Sequence, residues 1–202
     1  MRPDELDQAA KLLGLAYRDN PLTFMLLGDD PDVRTHADEV VFGIRISVMD
    51  PPPLVVRDGD RVVGVCGFDP PGGSKMSPED GRRAMEAYAV VPDAPAKLMQ
   101  VLAEWAKFTP NEPHWNLGPV AVDVERHGRG IGSAMVRAFC ELMDAERAAA
   151  FLETDTEKNV GLYAKFGFET IAHETIMSVP MWFMWRPAPN PDTVMKSSCH
   201  SS

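Results

Sequence analysis

The stretch His127-Gly128-Arg129-Gly130-Ile131-Gly132 constrains the fold of this chain more than any other. It follows an extended apolar run, residues 114–122. It leads into Ile131, Met135, Ala138, Phe139 and Leu142, which recur at the i, i+4, i+7, i+8, i+11 spacing of an amphipathic helix. Strand, glycine turn and helix are therefore expected in that order. Glycines at such a junction let the backbone curl until several N–H groups point at one anion, whose charge also meets the positive end of the helix dipole. A phosphate site is one reading, and a plain tight turn is the other. Two nucleotide loops fit poorly. Gly132-Ser133 lacks the lysine of a P-loop, and the third glycine of G-x-G-x-x-G falls on Ser133 counted from Gly128, or on Met135 counted from Gly130.

The remaining pattern surrounds this unit with alternating periods. Leu6, Ala9, Ala10, Leu13 and Tyr17 predict a helix over 4–18 that Asn20-Pro21 stops, and Val33, Ala37, Val40, Val41 and Ile44 predict another after Pro31, ending before 50–53. Residues 54–68 read as two strands joined through Asp58-Gly59, the dipeptide that best tolerates a tight hairpin turn. Residues 69–81 read as a loop, 94–108 as a helix and 148–155 as a strand. Beyond these, a short helix closed by Gly167 and two strands around Pro180 carry the chain to Trp185. A single domain over 1–186 is expected, and 187–202, rich in Pro and Ser, reads as a disordered tail.

Composition excludes several classes of partner. A net charge of -10 over 202 residues repels a phosphate backbone, so no nucleic acid is expected, and cationic partners suit the surface better. No apolar run approaches the roughly 20 residues that span a bilayer, so no membrane is expected either. Cys66, Cys140 and Cys199 show no C-x-x-C spacing, and the N-terminus lacks the basic-then-apolar layout of a signal peptide, which together suggest a cytoplasmic protein. His36, His114 and His173 show no metal-ligand spacing with the cysteines, and no metal is expected.

The glycine turn resembles the pyrophosphate loop of the GNAT superfamily, the acyl-CoA-dependent N-acyltransferases, whose pattern is Gln/Arg-x-x-Gly-x-Gly/Ala; here histidine takes the first place. The likeness extends through "LGPVAVDVERHGRGIGSAMV", "FLETDTEKNVGLYAKFGFE" and "MWFMWR", over about 115–186, and is similar to the puromycin N-acetyltransferase-like branch. The first half agrees in its order of helix, "NPLTFMLL", helix and hairpin, with the leading strand missing or cut to Met1-Arg2-Pro3. The resemblance implies an α/β (α+β) GNAT-like domain: a central mixed, largely antiparallel sheet, splayed at the fourth strand and flanked by helices. Acetyl-CoA is the implied cosubstrate. Its pantetheine arm would pair with backbone groups of Val120, Ala121, Val122 and Val124, and its pyrophosphate would sit on His127, Gly128, Arg129, Gly130, Ile131, Gly132 and Ser133. The valine side chains themselves read as core.

By the same resemblance Tyr163, in "GLYAKFGF", protonates the coenzyme thiolate; the alternative is a core tyrosine. A phenol of pKa about 10 can donate to a thiolate whose own value is about 8.5 as charge develops on it. Glu153, in "FLETD", is implied as the base that deprotonates the amine, or as a residue that only orders the acceptor pocket. Asn159, four residues before Tyr163, matches the puromycin-enzyme spacing and is implied in coenzyme contact, or else is an ordinary first-turn residue. Phe24, Trp115, Asn116, Trp182 and Trp185 are candidates for the acceptor pocket, although large aromatics are more often core. The expected activity is direct transfer of an acetyl group to a primary amine of a small molecule, antibiotic- or polyamine-like, by a monomer or homodimer. A protein or peptide N-acetyltransferase and a non-catalytic acyl-CoA-binding module are the alternatives.

Overall fold

The hairpin expected at Asp58-Gly59 opens the sheet. In the computed structural model, which describes residues 1–190, β1 (Leu54–Asp58) pairs with β2 (Arg61–Asp69) antiparallel, with Asp58 opposite Arg61. The turn residues are thus Gly59 and Asp60, and Gly59 alone carries positive φ, +60°, as a type II′ turn asks of its first central residue. Four more strands follow: β3 (His114–Val122), β4 (Ala149–Thr154), β5 (Glu169–Ile176) and β6 (Val179–Arg186). The sheet order is β1-β2-β3-β4-β6-β5. Only β3 and β4 run parallel among the described residues.

Seven helices flank the sheet among the described residues: α1 (Leu6–Tyr17), α2 (Pro21–Leu27), α3 (Pro31–Ser47), α4 (Pro78–Tyr88), α5 (Ala94–Trp105), α6 (Ile131–Glu146) and α7 (Glu157–Ala164). Several depart from the sequence expectation. Asn20-Pro21 ends α1 but also starts α2, because a proline at the first helical position loses no hydrogen bond. The loop expected over 69–81 ends early. Ser77 accepts the Asp80 N–H, and Pro78 opens α4. No strand precedes β1; a 3-10 turn (Pro3–Glu5) stands there, tied to β1 by the ion pair of Glu5 with Arg57. The β5–β6 turn lies at Met177 and Ser178, both with positive φ, and Pro180 is already inside β6 opposite Thr175. The tail expectation falls outside the described residues from 191 onward, and 187–190 form neither helix nor strand.

Side-chain alternation divides the core. On one face α6 and α7 cover Cys66, Leu117, Ala150, Leu152 and Met184. Gly64 permits the close approach of α6, since a Cβ there would stand 3.0 Å from the Met135 sulfur. The buried stripe of α6 is Met135, Val136, Phe139, Cys140 and Met143; Leu142, expected inside, is 42% exposed. On the other face α1 and α3 cover Val62, Val65 and Ala121, while α5 covers Phe151 and Phe183. Two buried carboxylates position the helices around the end of β4. Asp155 accepts the Leu22 N–H at 2.9 Å, which fixes the start of α2 to β4. Asp38, 1% exposed, accepts the Thr23 and Tyr88 hydroxyls at 3.0 Å each, and burial raises its pKa to about 6.

Candidate active site

Parallel pairing between β3 and β4 lasts for three residues, from His114 opposite Ala149 to Asn116 opposite Phe151, and then stops. On its other side β3 continues beside β2 as far as Val122 opposite Gly64. Asp123 donates its N–H to the Val63 carbonyl at 3.0 Å, so by the antiparallel alternation the backbone groups of Ala121 also point to β2, while those of Val120 and Val122 point into the opening. Side chains meet these outward groups. The Tyr17 hydroxyl accepts the Val120 N–H at 3.1 Å, and His127 Nε2 donates to the Val122 carbonyl at 3.0 Å. Of the strand residues expected to face a ligand, Val120 and Val122 therefore turn their backbone groups into the opening. Ala121 is spent on the ladder, and Val124 lies in a 3-10 turn (Val124–Arg126), 75% exposed.

At the far end of the opening the glycine turn takes the predicted form. Gly128 (φ +76°) and Gly130 (φ +80°) hold backbone angles that L side chains rarely adopt. No protein atom lies within 4 Å of a Cβ built on either, so backbone conformation and not packing demands glycine there. The first bond into α6 runs from the Ala134 N–H to the Gly130 carbonyl at 2.9 Å, and among the described residues no backbone carbonyl accepts an N–H from Gly128 through Ser133. These consecutive donors, with the dipole of a 16-residue helix behind them and the exposed Arg129 beside them, suit a diphosphate. Gly132 lies against β3, where a Cβ would meet Val122 at 3.6 Å, an ordinary contact, so packing does not demand glycine there.

Where the strands part, the chemistry-bearing side chains gather. Tyr163 on α7 is buried against Phe168, its hydroxyl makes no hydrogen bond among the described residues, and burial holds its pKa well above the ordinary value, with Tyr17, Cys66 and Glu153 adding to the shift. It remains a neutral phenol and a proton donor at any working pH. Asn159 in the first turn of α7 donates to the Thr154 hydroxyl at 3.3 Å, linking α7 to the end of β4. Glu153 lies on the opposite face of β4 from Leu152, and burial raises its pKa from the usual 4.5, opposed by the Arg45 charge and the Asn116 amide and reinforced by Asp69. Its Oε2 is buried without a hydrogen-bond partner, and so is Oδ1 of Asn116. Arg45, from α3, is itself held by Asp69 Oδ2 at 3.1 Å and the Gly118 carbonyl at 3.2 Å. A groove of about 320 Å³ runs over this face, lined by Arg45, Leu102, Trp105, Thr109, Asn116 and Glu153.

The other aromatic candidates are not in this groove. Trp115 and Trp182 pack into the α6 face, on the far side of the sheet from Glu153, with Trp182 stacked on His173 at 4.4 Å. Trp185 shares the Glu153 face but sits two residues along the β4–β6 ladder, where its ring meets His114. Phe24 stands on α2, 48% exposed, under the Arg34 guanidinium. Sequence reasoning missed Tyr17, Arg45 and Trp105. Tyr17 and Trp105 each stand at a helix C-terminus, but nothing local marks either as facing the parting strands.

No three His, Cys, Asp or Glu side chains are grouped to hold a metal among the described residues, and no described helix is long and apolar enough to cross a membrane. A six-stranded mixed sheet parted at its one parallel pair, with a glycine-rich helix N-terminus at the end of the opening, is the fold of a GNAT acetyltransferase. The sequence model of the acetyltransferase (GNAT) family matches residues 20–168, and the chain belongs to that family of acyl-CoA-dependent acyltransferases. Its fold is similar to that of an acetyltransferase related to histone acetyltransferase HPA2 from Corynebacterium glutamicum, 23% identical over 95% of each chain, with a TM-score of 0.70. It also resembles arylalkylamine N-acetyltransferase 2 from Aedes aegypti, 12% identical over 94% of this chain and 97% of that one, with a TM-score of 0.64. A GNAT family acetyltransferase from Brucella melitensis, solved in complex with acetyl-CoA, is 18% identical over 94% and 86% of the two chains, with a TM-score of 0.51.

The donor loop makes a direct prediction. Acetyl-CoA at 100 times its dissociation constant should stabilise the protein by about 2.7 kcal/mol, and ATP far less. Gly130→Val, measured against its own unliganded melting temperature, should lose the acetyl-CoA shift, because a branched side chain rejects the positive φ and fills the space before the N–H groups. An undiminished shift would place the diphosphate elsewhere.

Proposed function

We propose that the protein transfers the acetyl group of acetyl-CoA directly to a primary amine of a small molecule. The observation that carries this reading is Glu153, a buried carboxylate with an unpartnered oxygen and a raised pKa, in a groove of small-ligand size, with Tyr163 on the other side of the sheet. The net charge of -10 favours approach of a cationic acceptor. The free N–H groups of 128–133, with His127 and Arg129 beside them, would hold the diphosphate, and Val120 and Val122 the pantetheine arm, displacing the His127 ring from the Val122 carbonyl. Asn159 would border the arm from α7. The spacing of Asn159 and Tyr163 supports a place in the puromycin N-acetyltransferase-like branch, and one cytoplasmic domain over 1–186, as monomer or homodimer, completes the reading.

Bound in this way, acetyl-CoA supplies the acetyl group as an activated thioester. Glu153 takes a proton from the acceptor ammonium, directly or through a water. The freed nitrogen then attacks the carbonyl carbon. With the Tyr17 hydroxyl displaced from it, the Val120 N–H, turned into the opening, would donate to the carbonyl oxygen as negative charge grows on it. As the carbon–sulfur bond breaks, Tyr163 gives its hydroxyl proton to the sulfur and the attacking nitrogen sheds its second proton to solvent; Glu153 then releases its proton and the Tyr163 oxygen regains one, also by exchange with solvent. Removing that hydroxyl alone, in Tyr163→Phe, should lower turnover on the order of 10²–10⁴-fold while acetyl-CoA binding stays nearly intact. Unchanged turnover would remove Tyr163 from the chemistry.

The acceptor reading is tested by release of free thiol from acetyl-CoA with a panel of aminoglycosides, aminonucleosides, polyamines, amino acids and short lysine peptides. A small amine should be the best acceptor, and preference for lysine peptides over all of them would overturn the small-molecule reading. The pH profile then separates base from scaffold. An amine of pKa about 10 is protonated at neutral pH, and a carboxylate with a raised pKa ionises later than usual, so the wild-type rate rises as pH passes that value. Glu153→Gln should reduce the rate most near neutrality and least at high pH, where the amine is already free. An equal loss at every pH would make Glu153 a pocket-ordering residue.

A further inference from the structure

Among the described residues, five buried side-chain polar atoms lack a hydrogen-bond partner, and three belong to residues that line the groove over Glu153: Glu153 Oε2, Asn116 Oδ1 and Trp105 Nε1. The other two are single nitrogens of Arg126 and Arg186, each in a guanidinium already held by a carboxylate. Trp105 differs from them. The indole N–H is the one polar atom of its side chain, and a buried donor without an acceptor is costly. Trp105 is the last residue of α5, packed by its ring into the cluster around Phe151 and Phe183, so the ring has little freedom to turn its N–H toward solvent.

The three atoms form a pattern of two acceptors and one donor. An ammonium or amine satisfies the two acceptors with its own N–H groups. It has nothing to offer the indole. That requires an oxygen, and the small volume of the groove requires the oxygen to belong to the same molecule. Leu102 and Ala106 give the wall an apolar portion, and Arg45 in the same wall is already paired with Asp69. Building on the acetyl-transfer reading above, we propose that the acceptor is a primary amine bearing a hydrogen-bond-accepting oxygen, a hydroxyl or carbonyl near the nitrogen, and that Trp105 is the specificity-determining residue that reads that oxygen. Polyamines, which carry no oxygen, are then poor acceptors.

Matched pairs test this: 2-amino-1-phenylethanol against 2-phenylethylamine, 3-amino-1-phenylpropan-1-ol against 3-phenylpropylamine, and alaninamide against 2-aminobutane. Binding is read by calorimetry on protein saturated with CoA, and transfer by thiol release from acetyl-CoA. In at least one pair the oxygen-bearing member should have the lower KM by on the order of 10-fold or more, because its absence leaves the buried N–H unpaired. Trp105→Phe keeps a ring and removes the N–H, so it should raise KM for that member by a similar factor, leave kcat little changed and leave the deoxy partner unaffected. No preference in any pair, or an equal effect of Trp105→Phe on both members, overturns the inference. Should the variant not fold, the wild-type preference decides alone. Preferential binding of oxygen-bearing amines without thiol release would leave Trp105 as the reader of that oxygen and remove the acetyl-transfer reading. Equal transfer to both members would do the reverse, and neither binding nor transfer with any pair would remove both.

Discussion

Hydrogen bonding between β3 and β4 ends after Asn116 and Phe151, and the rest of the site is arranged around that interruption. A sheet that parts in its interior exposes strand edges that are normally satisfied. The protein meets the requirement on β3 with two side chains, Tyr17 from α1 and His127 from the glycine turn, each bonded to one outward backbone group. Pro119, which has no N–H to donate, and Gly118, whose carbonyl is taken by Arg45, stand where pairing has stopped. Two of the outward groups, the Val120 N–H and the Val122 carbonyl, are thus held by side chains that a ligand's own amide groups can replace.

The interruption also joins the two faces of the sheet. Elsewhere the sheet separates the α6–α7 core from the cores under α1, α3 and α5. Tyr163 lies on the first side, and Glu153, Asn116 and Arg45 on the second. A thioester lying between the strands would thus meet a proton donor on one face and a proton acceptor on the other, each with its pKa raised chiefly by burial. Desolvation acts in opposite senses on their strength, making Tyr163 a weaker acid and Glu153 a stronger base. It keeps Tyr163 protonated, ready to donate, and it brings Glu153 nearer the pH at which a carboxylate is an effective base.

Local chemistry was legible in the sequence, and long-range placement was not. The glycine turn announces itself because positive φ at Gly128 and Gly130 is a demand of the backbone, and the β1–β2 hairpin follows from Gly59 for the same reason. The β5–β6 turn escaped because Met177 and Ser178 adopt positive φ without being the residues that favour it, which left Pro180 as the visible marker. Strand parity held information that went unused: Trp115 and Asn116 are neighbours on a strand, so only one of them can share a face with Glu153, and that one is Asn116. Helices α2 and α4 were hidden by prolines that read as breakers but serve as first helical residues. Tyr17, Arg45 and Trp105 come from three helices far from β4 in sequence, and only the packing of those helices on the sheet brings them together.

The central claim is that the coenzyme is gripped by the backbone of the glycine turn. Amide hydrogen exchange, followed residue by residue with and without acetyl-CoA, tests it most directly, since the N–H groups concerned have no partner in the protein itself. The account predicts that acetyl-CoA slows exchange across Gly128 to Ser133, with little change along the exposed edge of β5. Tight binding of acetyl-CoA that leaves those six amides exchanging at their unliganded rates would contradict it.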